Sequence, residues 1–244
     1  MIIPSPKDAV HKAWLYRLLA ELYDDPVVAA TLRFKGGTCA AMLGWLDRFS
    51  VDLDFDYVGS KKELKNVRRR MEKIFSGLGL EIKDKSQIVP QYFLKYPVPA
   101  GGRNTLKIDT TFPPPKSNVY KAARFVEIDR IIICQTIETM FANKLVAIID
   151  RWEKKDSLAG RDLYDIHHFF LQGYNYNSAV IEERRKTSVK SYLKKLTGFI
   201  EKKFTEKIIT QDLNLLMAPD KFQQIRKVIK RETLIFLNDE LKKI

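Results

Sequence analysis

The stretch Ser50-Val51-Asp52-Leu53-Asp54-Phe55 constrains the fold of this chain more than any other. Strand side chains alternate between faces. A strand here therefore turns Leu53 and Phe55 toward a core, and Asp52 and Asp54 together toward the other face, about 7 Å apart. Such a strand needs a sheet with one buried face and one accessible face. Upstream, Lys35, Gly36, Gly37 and Thr38 mark the opening of a short helix. Glycines let backbone N–H groups approach a phosphate, and the start of a helix adds positive potential. Two carboxylates at strand spacing are hard oxygen ligands suited to Mg²⁺, with nucleotide phosphates completing the octahedron. A Gly-Gly turn alone is common punctuation, and an Asp-x-Asp strand alone is usually a solvated face. Side by side, with Arg48 and Ser50 between them, they form a phosphoryl- or nucleotidyl-transfer constellation. Asp56 shares the parity of the pair, as a third acidic neighbour or as the start of the following loop.

Charge points to the partner. The 244 residues include 43 Lys+Arg against 30 Asp+Glu, a net +13 that favours a polyanion, nucleic acid first. Residues 181–244 hold 16 basic against 9 acidic residues, +7 of that surplus. A second basic cluster runs through Lys61, Lys62, Lys65, Arg68, Arg69 and Arg70; the alternative is a set of well-solvated helices. The length suits one large domain or two small lobes. No run of 18 apolar residues offers a membrane span, and the first residues lack the organisation of a signal peptide. Cys39 and Cys134 read as buried free thiols of a reducing compartment. A cytoplasmic protein without a membrane partner is expected.

Ser5-Pro6 opens a first helix to about Tyr23, with Val10, Trp14, Leu15, Leu18, Leu19 and Leu22 at helical spacing. Strands follow at 31–35 and 51–58, with a helix over 38–47 between them. Ser60 caps a basic helix to about Leu78, and strands are expected at 80–84 and 91–96. Over 104–111, Leu106 and Ile108 face one way and Lys107 and Asp109 the other, until Pro113-Pro114-Pro115 ends the strand. From Thr136 onward the pattern is helical. Lys144 lies beside the apolar stripe Ile137, Phe141, Leu145, Ile148 and Trp152, so it must snorkel or meet an anion. Asp162 falls in the first turn of the next helix, where it complements the helix N-terminus. Asp165 is spaced to pair with Arg161. His167 and His168 point to different faces and suggest no metal site, and His11 has no evident partner.

Four pieces in order carry a resemblance. They are the Lys35-Gly36-Gly37-Thr38 loop, the Ser50 to Phe55 strand, the Ala142-Asn143-Lys144-Leu145-Val146-Ala147 helix and the Arg161-Asp162-Leu163-Tyr164-Asp165 helix. Over roughly residues 30 to 170 the chain resembles the nucleotidyltransferase AbiEii/AbiGii toxin family, which includes the MenT-type toxins. The resemblance implies an α/β (α+β) fold. A polymerase-beta-like core with a mixed sheet would span 1–130, and a helical lobe over 131–244 would contribute Lys144 and Asp162 to the site. It implies NTP as substrate, its phosphates held by Gly36, Gly37, Thr38, Ser50 and Lys144, and Mg²⁺ held by Asp52 and Asp54. Asp109 would be a third carboxylate, bridging metal or accepting the hydroxyl proton, and Asp162, rather than Asp165, the late acidic residue. The implied activity is transfer of a nucleoside monophosphate to the 3′ end of tRNA, with a DNA-binding antitoxin as partner. The alternatives are nucleotidylation of a protein or small molecule, or a non-catalytic nucleic-acid-binding module.

Overall fold

A computed structural model describes residues 1–6, 8–97 and 103–244. The chain packs as two units, Met1–Pro114 with Tyr120–Gln135, and Pro115–Val119 with Thr136–Ile244.

The first unit is built on a seven-stranded mixed sheet. Its strands are β1 (Leu32–Lys35), β2 (Asp52–Tyr57), β3 (Glu81–Lys85), β4 (Tyr92–Lys95), β5 (Thr105–Thr111), β6 (Tyr120–Phe125) and β7 (Arg130–Gln135). They lie in the order β3-β4-β5-β2-β1-β7-β6. β2 runs antiparallel to β1 and parallel to β5, so the Asp-bearing strand sits in mid-sheet. Leu53, Phe55, Leu106 and Ile108 are fully buried on one face, as the alternation requires. The helices are α1 (Asp8–Asp24), α2 (Pro26–Thr31), α3 (Gly36–Met42) and α4 (Leu64–Gly77). α1 packs against β2, β5 and β7, with the Tyr23 ring 6.4 Å from Phe55.

Four local readings change. The α1 stripe is His11, Leu15, Leu18, Leu19 and Leu22, while Val10 is exposed. His11 does have partners: its Nδ1 lies 2.8 Å from the Tyr96 hydroxyl, and its Nε2 2.9 Å from the Val51 carbonyl. Burial drives its pKa down to about 4. Asp25 caps an additional helix, α2, by accepting from Val27 N–H and Val28 N–H, with Pro26 in the first turn. The hairpin β6–β7 also had no counterpart in the sequence pattern, and it carries the first unit to Gln135. Cys39 and Cys134 are free and buried in this core.

The second unit is helical, with α5 (Ile137–Lys155), α6 (Gly160–Leu171), α7 (Ser178–Arg185), α8 (Val189–Lys203), α9 (Glu206–Leu213), α10 (Pro219–Ile225) and α11 (Ile229–Lys243). Thr136, Asn177, Ser188 and Thr205 cap α5, α7, α8 and α9 with side-chain oxygens, which is why these helices begin where they do. Phe141, Leu145, Leu163, Ile166, Leu193 and Leu237 close the core. None of the helices among the described residues is long and apolar enough to cross a membrane.

Candidate active site

In the first unit, strand register brings the acidic residues together. Asp54 stands opposite Asp109 and Asp52 opposite Lys107 on the parallel pair β2–β5. Paired residues on neighbouring strands point the same way about 4.8 Å apart, with about 7 Å to the next on the same strand. Asp52, Asp54, Lys107 and Asp109 thus form a two-by-two grid on the face opposite the core. Lys107 Nζ pairs with Asp109 Oδ2, and Gln91 Nε2 donates to Asp109 Oδ1 at 3.2 Å. The Lys107 ammonium also lies 5.9 Å from the ring centre of Phe93, its partner in register on β4. Burial works against the charge of Lys107, yet Asp109, Asp52 and Asp54 hold its pKa above the ordinary lysine value.

The glycine loop presses on this grid. Gly36 has φ +79°, and a Cβ there would fall 2.2 Å from Asp54 Oδ2. Only glycine permits both the left-handed backbone and the approach. A Cβ on Gly37 would fall 2.8 Å from Ser50 Oγ and 3.0 Å from the Arg48 guanidinium. The Thr38 hydroxyl donates to the Asp52 carbonyl at 2.5 Å, tying α3 to the start of β2. Asp56, the next acid on this face, is fully buried with its own partners. Lys35 Nζ reaches it at 2.6 Å, Gln135 Nε2 at 2.7 Å and the Tyr120 hydroxyl at 2.9 Å. It is a buried acid held by a ring of donors.

In the second unit, Lys144 Nζ lies 2.7 Å from Asp165 Oδ2 and 3.7 Å from Asp162 Oδ1. Arg151 Nε reaches Asp162 Oδ2 at 2.8 Å. Lys144 does meet anions. Arg161, however, pairs with Asp212 of α9 at 3.0 Å, leaving Asp165 to Lys144. Three residues apart on α6, Asp162 and Asp165 share a helix face, so one lysine reaches both. His167 binds Glu232 of α11 at 2.7 Å, and His168 stacks on Tyr164.

Gly36, Gly37, Thr38, Ser50, Asp52, Asp54 and Asp109 therefore gather in the first unit, and Lys144 and Asp162 meet in the second. Lys107 and Asp56 were visible as residues on the right strand face, but their roles as grid member and internal counter-charge depend on which strands become neighbours. Among the described residues no three His, Cys, Asp or Glu side chains converge as a ready-made metal site. The donor set nonetheless suits Mg²⁺: two hard carboxylates on one face, with the glycine backbone lying directly against Asp54.

This fold is that of a nucleotidyltransferase. The chain is similar to a nucleotidyltransferase from Helicobacter pylori, at 21% identity over 96% of this chain and 98% of that one, with a TM-score of 0.57. It is also similar to JHP933 of Helicobacter pylori, at 21% identity over 97% and 95%, with a TM-score of 0.54. A third likeness is to MenT4, a nucleotidyltransferase toxin from Mycobacterium tuberculosis, at 18% identity over 96% and 84%, with a TM-score of 0.57. No curated protein sequence matches significantly. The chain belongs to the nucleotidyl transferase AbiEii toxin family of type IV toxin–antitoxin systems, whose pattern matches residues 17–234. The match extends beyond the 30–170 stretch that carries the motifs, and it makes the protein a nucleotidyl-transfer enzyme of a toxin–antitoxin system.

Proposed function

We propose that the protein transfers a nucleoside monophosphate from an NTP to the 3′ hydroxyl of RNA, tRNA foremost, in a Mg²⁺-dependent reaction. The observation that carries this reading is the grid: Asp52 and Asp54 face the same side as Asp109, with Gly36 against Asp54. Mg²⁺ bound at Asp52 and Asp54 would offset charge on the triphosphate and on the attacking and leaving oxygens. Asp109 accepts the acceptor hydroxyl's proton as its oxygen forms a bond to the α-phosphorus. The bond between the α-phosphorus and the bridging oxygen breaks, and pyrophosphate leaves. Gly36 and Gly37 bring backbone close to the phosphates, Thr38 ties that loop to β2 and Ser50 lies against Gly37.

An RNA acceptor is supported by the net charge of +13 and by the outer face of α8. Lys190, Lys194, Lys195, Lys202 and Lys203 are exposed there, suited to phosphodiester contacts. A neutralising antitoxin, itself DNA-binding, is the expected protein partner. Incubation with Mg²⁺, total tRNA and each labelled NTP in turn tests the reading, beside an Asp52→Asn, Asp54→Asn control. Label should enter RNA with the wild type and be absent with the control. Labelling of added protein or a small-molecule fraction, with none in RNA, would remove the RNA acceptor. Equal labelling by both proteins would remove the site.

A further inference from the structure

The grid holds three aspartates and one lysine on one face of the sheet. Lys107 occupies the corner opposite Asp52 and is paired to Asp109. The ammonium also lies 5.9 Å from the centre of the Phe93 ring, and the side chain keeps 27% of its surface exposed, so the ammonium is anchored without being sealed in. Lysine carries its charge on a four-carbon stem that can turn about its own bonds, unlike a backbone amide or a strand carboxylate. A cation so placed competes with any divalent ion for the same carboxylate oxygens. It is also within reach of polyanions that arrive on this face.

We propose that Lys107 is a switching counter-cation. In the nucleotide-free enzyme it pairs with Asp109 and holds down the affinity of the carboxylates for a divalent ion, and in the loaded enzyme it turns its charge to the triphosphate. Metal binding thereby becomes conditional on nucleotide. The proposal rests on Asp52 and Asp54 being the metal–nucleotide site. It adds that a residue outside the four sequence motifs sets the order in which metal and nucleotide bind.

The two halves of this role have opposite signs, which separates it from a merely structural one. Mn²⁺ titration of the full-length protein without nucleotide, followed by electron paramagnetic resonance, reads the first half. Lys107→Met should bind Mn²⁺ about ten-fold more tightly than the wild type, because a unit charge some 5 Å away opposes a divalent ion by at least that factor at a protein surface. Lys107→Arg, which keeps the charge, should stay within about three-fold of the wild type. Equilibrium binding of a non-hydrolysable NTP analogue at saturating Mn²⁺ reads the second half. Lys107→Met should bind it about ten-fold more weakly, because one charge-assisted hydrogen bond to the triphosphate is missing. Unchanged Mn²⁺ affinity in Lys107→Met, or nucleotide and metal affinities falling together, overturns the proposal. If wild type and Asp52→Asn, Asp54→Asn bind Mn²⁺ equally, the site reading fails and this proposal with it. If they differ while Lys107→Met matches wild type, only this proposal fails.

Discussion

The carboxylates of the sheet and those of the helical unit are held in opposite ways. On β2 and β5 three aspartates share a face with Lys107, beside the glycine loop. Between α5 and α6 two aspartates meet two cations, Lys144 and Arg151, at 2.7 to 3.7 Å, and the charge closes on itself. Asp165, with no exposed side-chain surface, is the more deeply buried, yet its charge is answered where it stands. Asp56 repeats the lesson within the sheet, since Lys35, Gln135 and Tyr120 surround it. Neither a carboxylate nor its burial distinguishes a binding face from an internal network. What distinguishes them is their setting: strand-paired carboxylates beside a glycine loop in the sheet, and carboxylates ion-paired between two helices in the helical unit.

The comparison breaks if removing charge from the two regions has the same effect. Asp52→Asn with Asp54→Asn should lower transfer at least about 10³-fold, since charge compensation on phosphate is lost. The melting temperature should hardly move, because crowded carboxylates are relieved. Lys144→Met should do the reverse to stability. It strands Asp165 and removes one of the two cations beside Asp162, costing about 3–5 kcal/mol, read from the denaturant midpoint. Equal destabilisation by the two sets of changes would erase the distinction.

A titratable group on the core side of the sheet, kept neutral by burial, sharpens the contrast through pH. The folded pKa of His11 is about 4 against an ordinary 6.5, so the unfolded chain binds the proton more tightly. Its contribution is complete above pH 6.5 and is lost as pH falls toward 4, a change of about 3 kcal/mol. Urea unfolding at several pH values should show this slope, and His11→Asn should flatten it. A slope unaltered in His11→Asn would mean that other groups dominate acid sensitivity. The smallest effect belongs to α8. Lys194→Glu with Lys202→Glu should reduce the salt dependence of RNA binding by about 0.7 in log–log slope for each phosphate that is no longer neutralised. NTP binding should stay unchanged.

How much of this was legible in the sequence follows from the range of each interaction. The β2 alternation and the β5 alternation are local, and both strands lie within two residues of where the pattern puts them. The glycine loop was legible for the same reason, because Gly36 and Gly37 mark a backbone that side chains forbid. The hairpin β6–β7 was not. Ile131, Ile132, Ile133 and Cys134 form a continuous apolar run, and Ile131 and Ile133 turn outward to 74% and 39% exposure, so no polar alternation announces a strand. The role of Lys107 depends on β5 settling beside β2, across some fifty residues of chain, and only the topology supplies that neighbour. Spacing allowed Arg161 to take Asp165, but Asp212 arrives from another helix and Lys144 takes Asp165 instead. His11 looked isolated because both of its partners, Tyr96 and Val51, are far along the chain.

The central claim is that the carboxylates gathered on the β2–β5 face, beside the glycine loop, make it the metal–nucleotide site. Equilibrium binding of a non-hydrolysable NTP analogue, with and without Mg²⁺, to the wild type and to Asp52→Asn, Asp54→Asn tests this most directly. Mg²⁺ should tighten binding to the wild type by about ten-fold or more and leave the double variant unaffected. An equal Mg²⁺ enhancement in both proteins would contradict the account and move the site away from this sheet.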